Sequence, residues 1–181
     1  MTNDIAAELA LLHTLEGAAF VKQLKAIAGR REFHALDDDP DIYTVGGEQD
    51  ADYPSLLAAA RKAVEHGYQV YILPNPRNAR TADYIFVRRN VYKLFDLKTI
   101  SGKKIVETRL FESVGQSNRV LLNMTVDYNP SLMARSVKHY FERNGSAMEV
   151  LIFKAKKAIS ITRDLTLSRD FYSIFMRRYI R

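Results

Sequence analysis

Three consecutive runs of β-branched and aromatic residues in the middle of the chain set the strongest constraint on its fold. The first run, residues 68–73, ends at Pro74-Asn75-Pro76, a segment that cannot continue a central strand. The second and third runs, residues 82–88 and 91–99, are separated only by Arg89-Asn90. This spacing predicts three strands, of which the second and third form a hairpin.

Helical spacing surrounds these strands on both sides. Pro54 near the start and Gly67 just past the end predict a helix over residues 54–66. The other predicted elements are helical segments within 3–29, a short strand at 42–45, a helix at 104–116, a strand at 119–125, a helix at 132–142, a hairpin of 148–153 and 158–162 across Lys156-Lys157, and a helix at 171–180. From residue 54 the order is αβββαβ and then αββα, which predicts an α/β (α+β) fold.

The charge of the chain is divided unevenly along its length. Residues 1–60 hold 4 Lys or Arg against 11 Asp or Glu, whereas residues 61–181 hold 23 against 10, within a total net charge of +6. We therefore predict a helical and acidic N-terminal extension over residues 1–52 and a basic domain over residues 53–181. A basic domain favours a polyanionic partner, of which nucleic acid is the commonest. A well-solvated surface is the alternative explanation.

The composition excludes several classes of protein. The chain has no cysteine, which excludes disulfides, thiolate zinc sites, iron–sulfur clusters and thiol nucleophiles. It has no glycine-rich phosphate loop and no dinucleotide fingerprint. No apolar run approaches the ~20 residues that span a bilayer, and the first residues lack the pattern of a signal peptide. We therefore expect a cytoplasmic protein without a membrane partner.

The predicted hairpin brings charged residues together. If Arg89-Asn90 forms a two-residue turn, Asp83 faces Asp96 across the two strands, and side-chain alternation places Lys98 on the same face as Asp96. Two carboxylates at this separation repel one another unless a cation or a shared proton lies between them. Apolar residues are expected to cover both faces: Ile85, Val87, Tyr92 and Leu94 accompany the aspartates, and Tyr84, Phe86, Phe95 and Leu97 point the other way.

Two carboxylates and a lysine in this arrangement suit phosphodiester hydrolysis. A Mg²⁺ ion prefers oxygen ligands, activates water and stabilises the charge that develops on a phosphate, while an ammonium group adds positive charge beside it. The alternative is that Lys98 and Asp96 form a structural ion pair. The residue pattern by itself leaves both interpretations open.

The motif residues resemble the core of PD-(D/E)XK nucleases. Asp83 opens one strand, Asp96-Leu97-Lys98 ends the next, and Gln116 lies on the following helix. More narrowly, residues 54–162 are similar to the C-terminal tRNA-nuclease toxin domains of contact-dependent inhibition proteins (CdiA type) and to their relatives in mobile elements and phages. The similar segments are Tyr71-Ile-Leu-Pro-Asn-Pro76, Ala82-Asp-Tyr-Ile-Phe86, Asp96-Leu-Lys-Thr99, Arg109-Leu110, Glu112-Ser113 and Gln116-Ser-Asn-Arg-Val-Leu-Leu122.

The resemblance implies a fold, an activity and a set of residue roles. The fold is an αβββαβ core with a mixed sheet flanked by helices, so that residues 53–181 are nuclease-like. The activity is that of a metal-dependent endonuclease with Mg²⁺ or Mn²⁺, acting on RNA, specifically tRNA, in preference to DNA, with a cognate immunity protein as a candidate partner. Asp83 and Asp96 are the implied metal ligands, Lys98 the catalytic lysine, and Gln116 a residue that orients substrate or water.

The chain departs from the family in the acidic residue that the first core helix usually carries. The helix interior, residues 56–64, has no carboxylate, which leaves Glu65 as the expected third metal ligand and Asp52 and Glu48 as the other candidates. A proline that the family often has before its first aspartate is also missing. The residues expected to contact nucleic acid are Arg77, Arg80, Thr99, Lys103, Lys104 and Arg109.

Two other interpretations stay open at this stage. A metal-independent RNase of the barnase/EndoU/colicin/RelE-like toxin group would instead use Lys98, Thr99, Arg109 and His139 for acid–base work and phosphate binding. A non-catalytic nucleic-acid-binding protein of a phage or mobile element would keep the fold without the activity, and the missing helix carboxylate favours it.

Overall fold

The chain divides between Asp96 and Leu97 into an amino-terminal and a carboxy-terminal unit. The structure is a computed structural model that describes residues 2–47, 49–75, 80–102 and 105–181. The amino-terminal unit contains α1 (Thr2–Leu11), a 3-10 turn (Leu12–Thr14), α2 (Gly17–Ala28), β1 (His34–Ala35), β2 (Ile42–Thr44), α3 (Tyr53–Glu65), β3 (Gln69–Ile72), β4 (Tyr84–Arg88) and the first part of β5 (Val91–Ile100). The carboxy-terminal unit contains the end of β5, α4 (Val106–Phe111), β6 (Arg119–Met124), α5 (Pro130–Arg143), β7 (Glu149–Lys154), β8 (Lys157–Thr162), α6 (Arg163–Leu167) and α7 (Phe171–Ile180).

The amino-terminal unit is built on a mixed sheet in the order β1-β2-β3-β4-β5. Strands β2 and β3 are parallel, while the other neighbours are antiparallel. One face packs on α1 and α2, because Ile85 and Leu94 share a buried core with Leu24 and Ile27. The reverse face packs on α3, where the Tyr84 hydroxyl donates a hydrogen bond of 2.7 Å to the Leu56 carbonyl. Both faces of the hairpin are therefore covered, as the sequence predicts.

A tight turn fixes the register of the β4–β5 hairpin. Arg89 and Asn90 both adopt left-handed backbone conformations, with φ of 51° and 60°. Two such residues in succession form a type I′ turn, whose twist matches that of the flanking strands. Arg88 consequently pairs with Val91, and the register continues unbroken to the end of the ladder. The predicted register is confirmed for the five pairs from Tyr84 with Phe95 to Arg88 with Val91.

The carboxy-terminal unit combines a second group of strands with helices. Strands β6 and β7 are parallel, and β7 and β8 are antiparallel. Helix α5 is capped by Asn129, whose side-chain Oδ1 accepts a hydrogen bond of 3.0 Å from the Leu132 amide. Its apolar face packs with α7 in a core that includes Tyr140, Phe141, Phe171, Phe175, Leu122 and Ile152.

The α+β fold predicted from the sequence is confirmed, including the αβββαβ order from residue 54 and mixed strand pairing in each unit. Helices α1 and α2 of the predicted N-terminal extension contribute to the core that also contains Ile85 and Leu94. The predicted boundary after residue 52 stays a prediction. No helix within the described residues is long and apolar enough to cross a membrane.

Two local predictions were wrong. The helix expected over residues 104–116 ends at Phe111, because the chain continues in tight turns up to Gly115, whose φ of 86° ends helical geometry. The second hairpin turns at Ala155-Lys156 rather than at Lys156-Lys157, since Lys154 pairs with Lys157. Strand β1 and helix α6 have no counterpart among the predicted elements.

A buried tyrosine in α7, Tyr179, is expected to make the protein less stable at alkaline pH. Tyr179 is fully buried, its hydroxyl has no hydrogen-bond partner among the described residues, and burial together with Asp127 and Tyr128 raises its pKa to about 12. The unfolded residue ionises near pH 10, so stability should fall as pH rises from about 10 to about 12. We expect Tyr179→Phe to leave stability at pH 7 unchanged or slightly higher and to reduce this alkaline loss. Denaturant unfolding at pH 7, 10 and 11 measures the free energy of unfolding of both proteins. If that free energy falls equally with pH in the wild type and the variant, Tyr179 is not the cause of the alkaline loss.

Candidate active site

The most buried acidic residue of the hairpin is Asp96, on β5. Only 1% of Asp96 is exposed, whereas Asp83, which directly precedes β4, is half-buried. The backbone of Asp83 is held on both sides: its N–H donates to the Phe95 carbonyl at 3.0 Å, and its carbonyl accepts from the Leu73 amide at 2.9 Å. Both aspartates therefore lie on rigid parts of the sheet, which suits a site that must hold precise geometry.

The two aspartates lie where the paired ladder ends. The last recorded pair is Tyr84 with Phe95, one step short of Asp83 and Asp96. Burial raises the pKa of Tyr84 well above its usual value, and the charges of Asp83 and Asp96 raise it further. Asp83 and Asp96 each adjoin a member of that last pair in sequence, so both lie near the same end of the hairpin. A directly opposed Asp83–Asp96 pair is not part of the recorded register.

Lys98 follows Asp96 by two residues on the same strand. It belongs to the carboxy-terminal unit, and only 9% of it is exposed. Along β5, residues 96, 98 and 100 are buried while 97 and 99 are half-buried. This alternation is typical of a strand that has one face covered more fully than the other. Lysine and aspartate are rarely buried so deeply in proteins. This conjunction is the most unusual feature of the strand.

Glu65 does not join the two aspartates. It is exposed at the end of α3, and α3 packs on the face of the sheet that Tyr84 occupies, opposite the face of Ile85 and Leu94. No group of three or more His, Asp or Glu side chains that could hold a metal ion exists among the described residues. The sequence pattern could not reveal this, because it does not specify which face of the sheet a helix covers.

Gln116 and Arg109 both have partners close to their own helix. The Gln116 side-chain Nε2 donates to the Glu112 carbonyl at 2.9 Å, and the Arg109 guanidinium forms an ion pair with the Glu112 carboxylate. Gln116 retains its amide oxygen for another contact. Among the other residues expected to bind nucleic acid, Arg80 is exposed and Thr99 is half-buried, whereas Arg77, Lys103 and Lys104 lie outside the described residues.

Two contacts were missed by the sequence analysis. The first is the bond from Tyr84 to the Leu56 carbonyl, which ties α3 to the strand beside the aspartates. The second concerns His139, which pairs through Nδ1 with the Glu107 carboxylate and packs edge-on against Phe111. Only the position of Tyr84 next to Asp83 hinted at the first, and no sequence signal indicated the second.

The donor set at the end of the hairpin is compatible with a hard divalent cation. Such ions are commonly bound through one or two carboxylates together with water and substrate phosphate oxygens, so two aspartates satisfy the protein's share. Asp96 and Asp83 provide those oxygens on a sheet whose backbone bonds are satisfied around them. The carboxylate oxygens of Asp83 and Asp96 are therefore ligands of the type that Mg²⁺ or Mn²⁺ prefers.

In comparisons with known proteins, no family model, no curated protein and no solved structure matches the chain. The resemblance to PD-(D/E)XK nucleases and to CdiA-type toxin domains consequently stays a prediction.

Proposed function

We propose that the protein is a metal-dependent endonuclease that hydrolyses phosphodiester bonds, with RNA, and tRNA in particular, as its substrate. The observation that carries the proposal is the deep burial of Asp96 and Lys98 on one strand, next to Asp83. Keeping charged groups out of water costs several kcal/mol, by an order-of-magnitude estimate. Retaining them at one end of a hairpin is more readily explained by chemistry than by stability.

Each residue has a role that follows from its chemistry. Asp83 and Asp96 supply carboxylate oxygens for the cation, and a bound divalent cation supplies charge stabilisation and a water molecule of lowered pKa. Lys98 supplies a fixed positive charge on the strand that carries Asp96, where it can stabilise negative charge on a phosphate. The buried surroundings strengthen these electrostatic interactions, because a low dielectric constant screens them less than water does.

The charge of the chain supports a nucleic-acid substrate. The basic excess lies in residues 61–181, which contain all three residues of the proposed site. Lys and Arg side chains neutralise phosphates and release bound counterions, so a surface of this kind favours long polyanions over small neutral substrates. The preference for tRNA, and the expectation of an immunity protein, come only from the resemblance to toxin domains.

A direct assay tests the proposal. Purified protein is incubated with total tRNA and, separately, with plasmid DNA, each with Mg²⁺ and with EDTA, and Asp96→Asn serves as the matched inactive variant. We expect tRNA cleavage with Mg²⁺, none in EDTA and none with the variant. Salt-sensitive binding without cleavage under any condition would instead favour the non-catalytic protein, and cleavage of DNA alone would reverse the substrate preference.

A second candidate function has one specific observation in its favour. Glu107 holds the Nδ1 side of the His139 ring, which leaves Nε2 as the ring atom available for proton transfer. This arrangement suits a metal-independent RNase, in which an imidazole acts as base or acid. Cleavage that persists in EDTA and is abolished by His139→Gln, but not by Asp96→Asn, would establish this function in place of the first.

A further inference from the structure

Three tyrosine side chains from three strands gather on the sheet face that carries the aspartates. Tyr43 on β2 and Tyr71 on β3 are register partners, and their rings stack with centroids 4.7 Å apart at 12°. Tyr92 on β5 packs with them against the core that contains Ile85 and Leu94. We call Tyr43, Tyr71 and Tyr92 the tyrosine cluster.

The polar ends of the tyrosine cluster form no hydrogen bond with the part of the chain that the structure describes. All three residues are half-buried, with their rings on the core, and none of their hydroxyls forms a hydrogen bond with the described residues. Burial raises the pKa of Tyr71, and Tyr43 and Tyr92 raise it further. The Lys25 Nζ atom lies 5.4 Å from the centroid of the Tyr92 ring. The cluster therefore offers three hydroxyl donors on one face of the sheet, with the ammonium group of Lys25 beside the Tyr92 ring.

The tyrosine cluster adjoins the candidate active site. Tyr71 pairs with Ile85, which follows Asp83 by two residues on the neighbouring strand. Diagonal neighbours of this kind are about 7–8 Å apart on one face of a sheet. The Leu73 amide, two residues beyond Tyr71, donates directly to the Asp83 carbonyl. A strand of nucleic acid at the aspartates would reach the tyrosine cluster with its next phosphates.

We propose that the tyrosine cluster and Lys25 bind a backbone phosphate of the nucleic-acid strand, beside the phosphodiester that is cleaved. The inference rests on the proposed function. Tyrosine hydroxyls and lysine are regular donors to nucleic-acid phosphates, and phosphate oxygens are strong acceptors of the kind that the described residues do not offer to these donors. Such a contact positions the nucleic-acid strand without reading its sequence. Positioning of this kind holds one phosphodiester bond in place at the catalytic residues.

Substitutions that delete only the hydroxyls test the inference. The variant Tyr43→Phe/Tyr71→Phe/Tyr92→Phe keeps the ring packing, and thermal unfolding verifies its fold. Binding is measured by fluorescence anisotropy with a short unstructured 2′-O-methyl RNA in EDTA, so that neither metal-dependent nor 2′-hydroxyl-dependent cleavage occurs. We expect about tenfold weaker binding, from hydrogen bonds to a charged group. Tyr172→Phe, on an exposed tyrosine of α7, is the matched control and should bind as the wild type does.

Salt dependence tests the charged member of the group. Lys25→Gln should reduce the slope of log Kd against log salt by about one, as expected for the loss of a single phosphate contact. Lys22→Gln, on the same helix, should leave the slope unchanged. Wild-type affinity in the triple Phe variant, or failure of the wild-type protein to bind the strand, would overturn the inference. A protein that binds through the tyrosine cluster yet cleaves nothing would refute the nuclease proposal alone.

Discussion

Asp96→Asn is expected to reduce phosphodiester cleavage by about a thousandfold, which corresponds to about 4 kcal/mol of transition-state stabilisation. The amide has nearly the same shape as the carboxylate but cannot supply negative charge to a divalent cation. Asp83→Asn and Lys98→Met should each lower activity by a comparable factor, because each removes a charge from the same chemistry. Cleavage rates with saturating Mg²⁺ measure the effect.

Folding and metal binding must be separated from chemistry in these variants. Thermal unfolding with and without Mn²⁺ does so, since an ion that binds only the folded state raises Tm. The wild-type protein should be stabilised by Mn²⁺, whereas Asp96→Asn should not. Asp41→Asn and Lys156→Met replace exposed residues and serve as controls that keep full activity. If all three site variants remain folded and cleave at the wild-type rate, Asp83, Asp96 and Lys98 are not the catalytic group.

The largest expected loss of stability follows from removing Arg119. Its guanidinium pairs with the Glu149 carboxylate, whose side chain is only 2% exposed and also accepts a hydrogen bond of 2.7 Å from the Ser160 hydroxyl. Arg119→Met leaves that carboxylate buried without its guanidinium, which should lower the free energy of unfolding by about 3 kcal/mol. Chemical denaturation, monitored by circular dichroism, measures the change.

A double substitution distinguishes loss of the pair from loss of packing. Arg119→Met/Glu149→Met removes both charges and should restore most of the lost stability, because apolar residues of similar volume often replace a buried ion pair without net cost. Arg109→Met breaks the more exposed pair with Glu112 and should cost at most about 1 kcal/mol. If Arg119→Met and Arg109→Met lower the free energy of unfolding equally, the burial of Glu149 does not determine the size of the loss.

The hairpin was predictable because its determinants are local. A two-residue connection between alternating runs specifies its own register, and the left-handed conformations of Arg89 and Asn90 agree with that register. The apolar residues on both faces of the hairpin also predicted that its carboxylates are covered, and Asp96 is buried. Long stretches with clear periods, such as helices α5 and α7, were equally accessible.

The features that escaped prediction depend on contacts distant in sequence. The face on which α3 packs decides the position of Glu65, and no local pattern encodes it. The tyrosine cluster joins strands β2, β3 and β5, so its members are dispersed among ordinary sheet positions. The early end of α4 is different, because helical spacing continues past Phe111 while the backbone hydrogen bonds from Ser113 and Val114 change to turn bonds between residues three apart. The spacing of apolar residues indicates the direction of the side chains, but it does not determine which backbone hydrogen bonds form.

The turn at Arg89 and Asn90 determines which mutations the proposed site can tolerate. A slip of one residue in a hairpin transfers every side chain to the opposite face of the sheet. The length of that connection therefore governs which residues meet at the far end of the strands, five pairs away. Replacement of Asp83 or Asp96 changes one side chain of the proposed site, whereas a single inserted residue at the turn would change which residues face one another along the whole hairpin. The two-residue length of the turn is therefore as much a requirement of the proposed site as its acidic residues are.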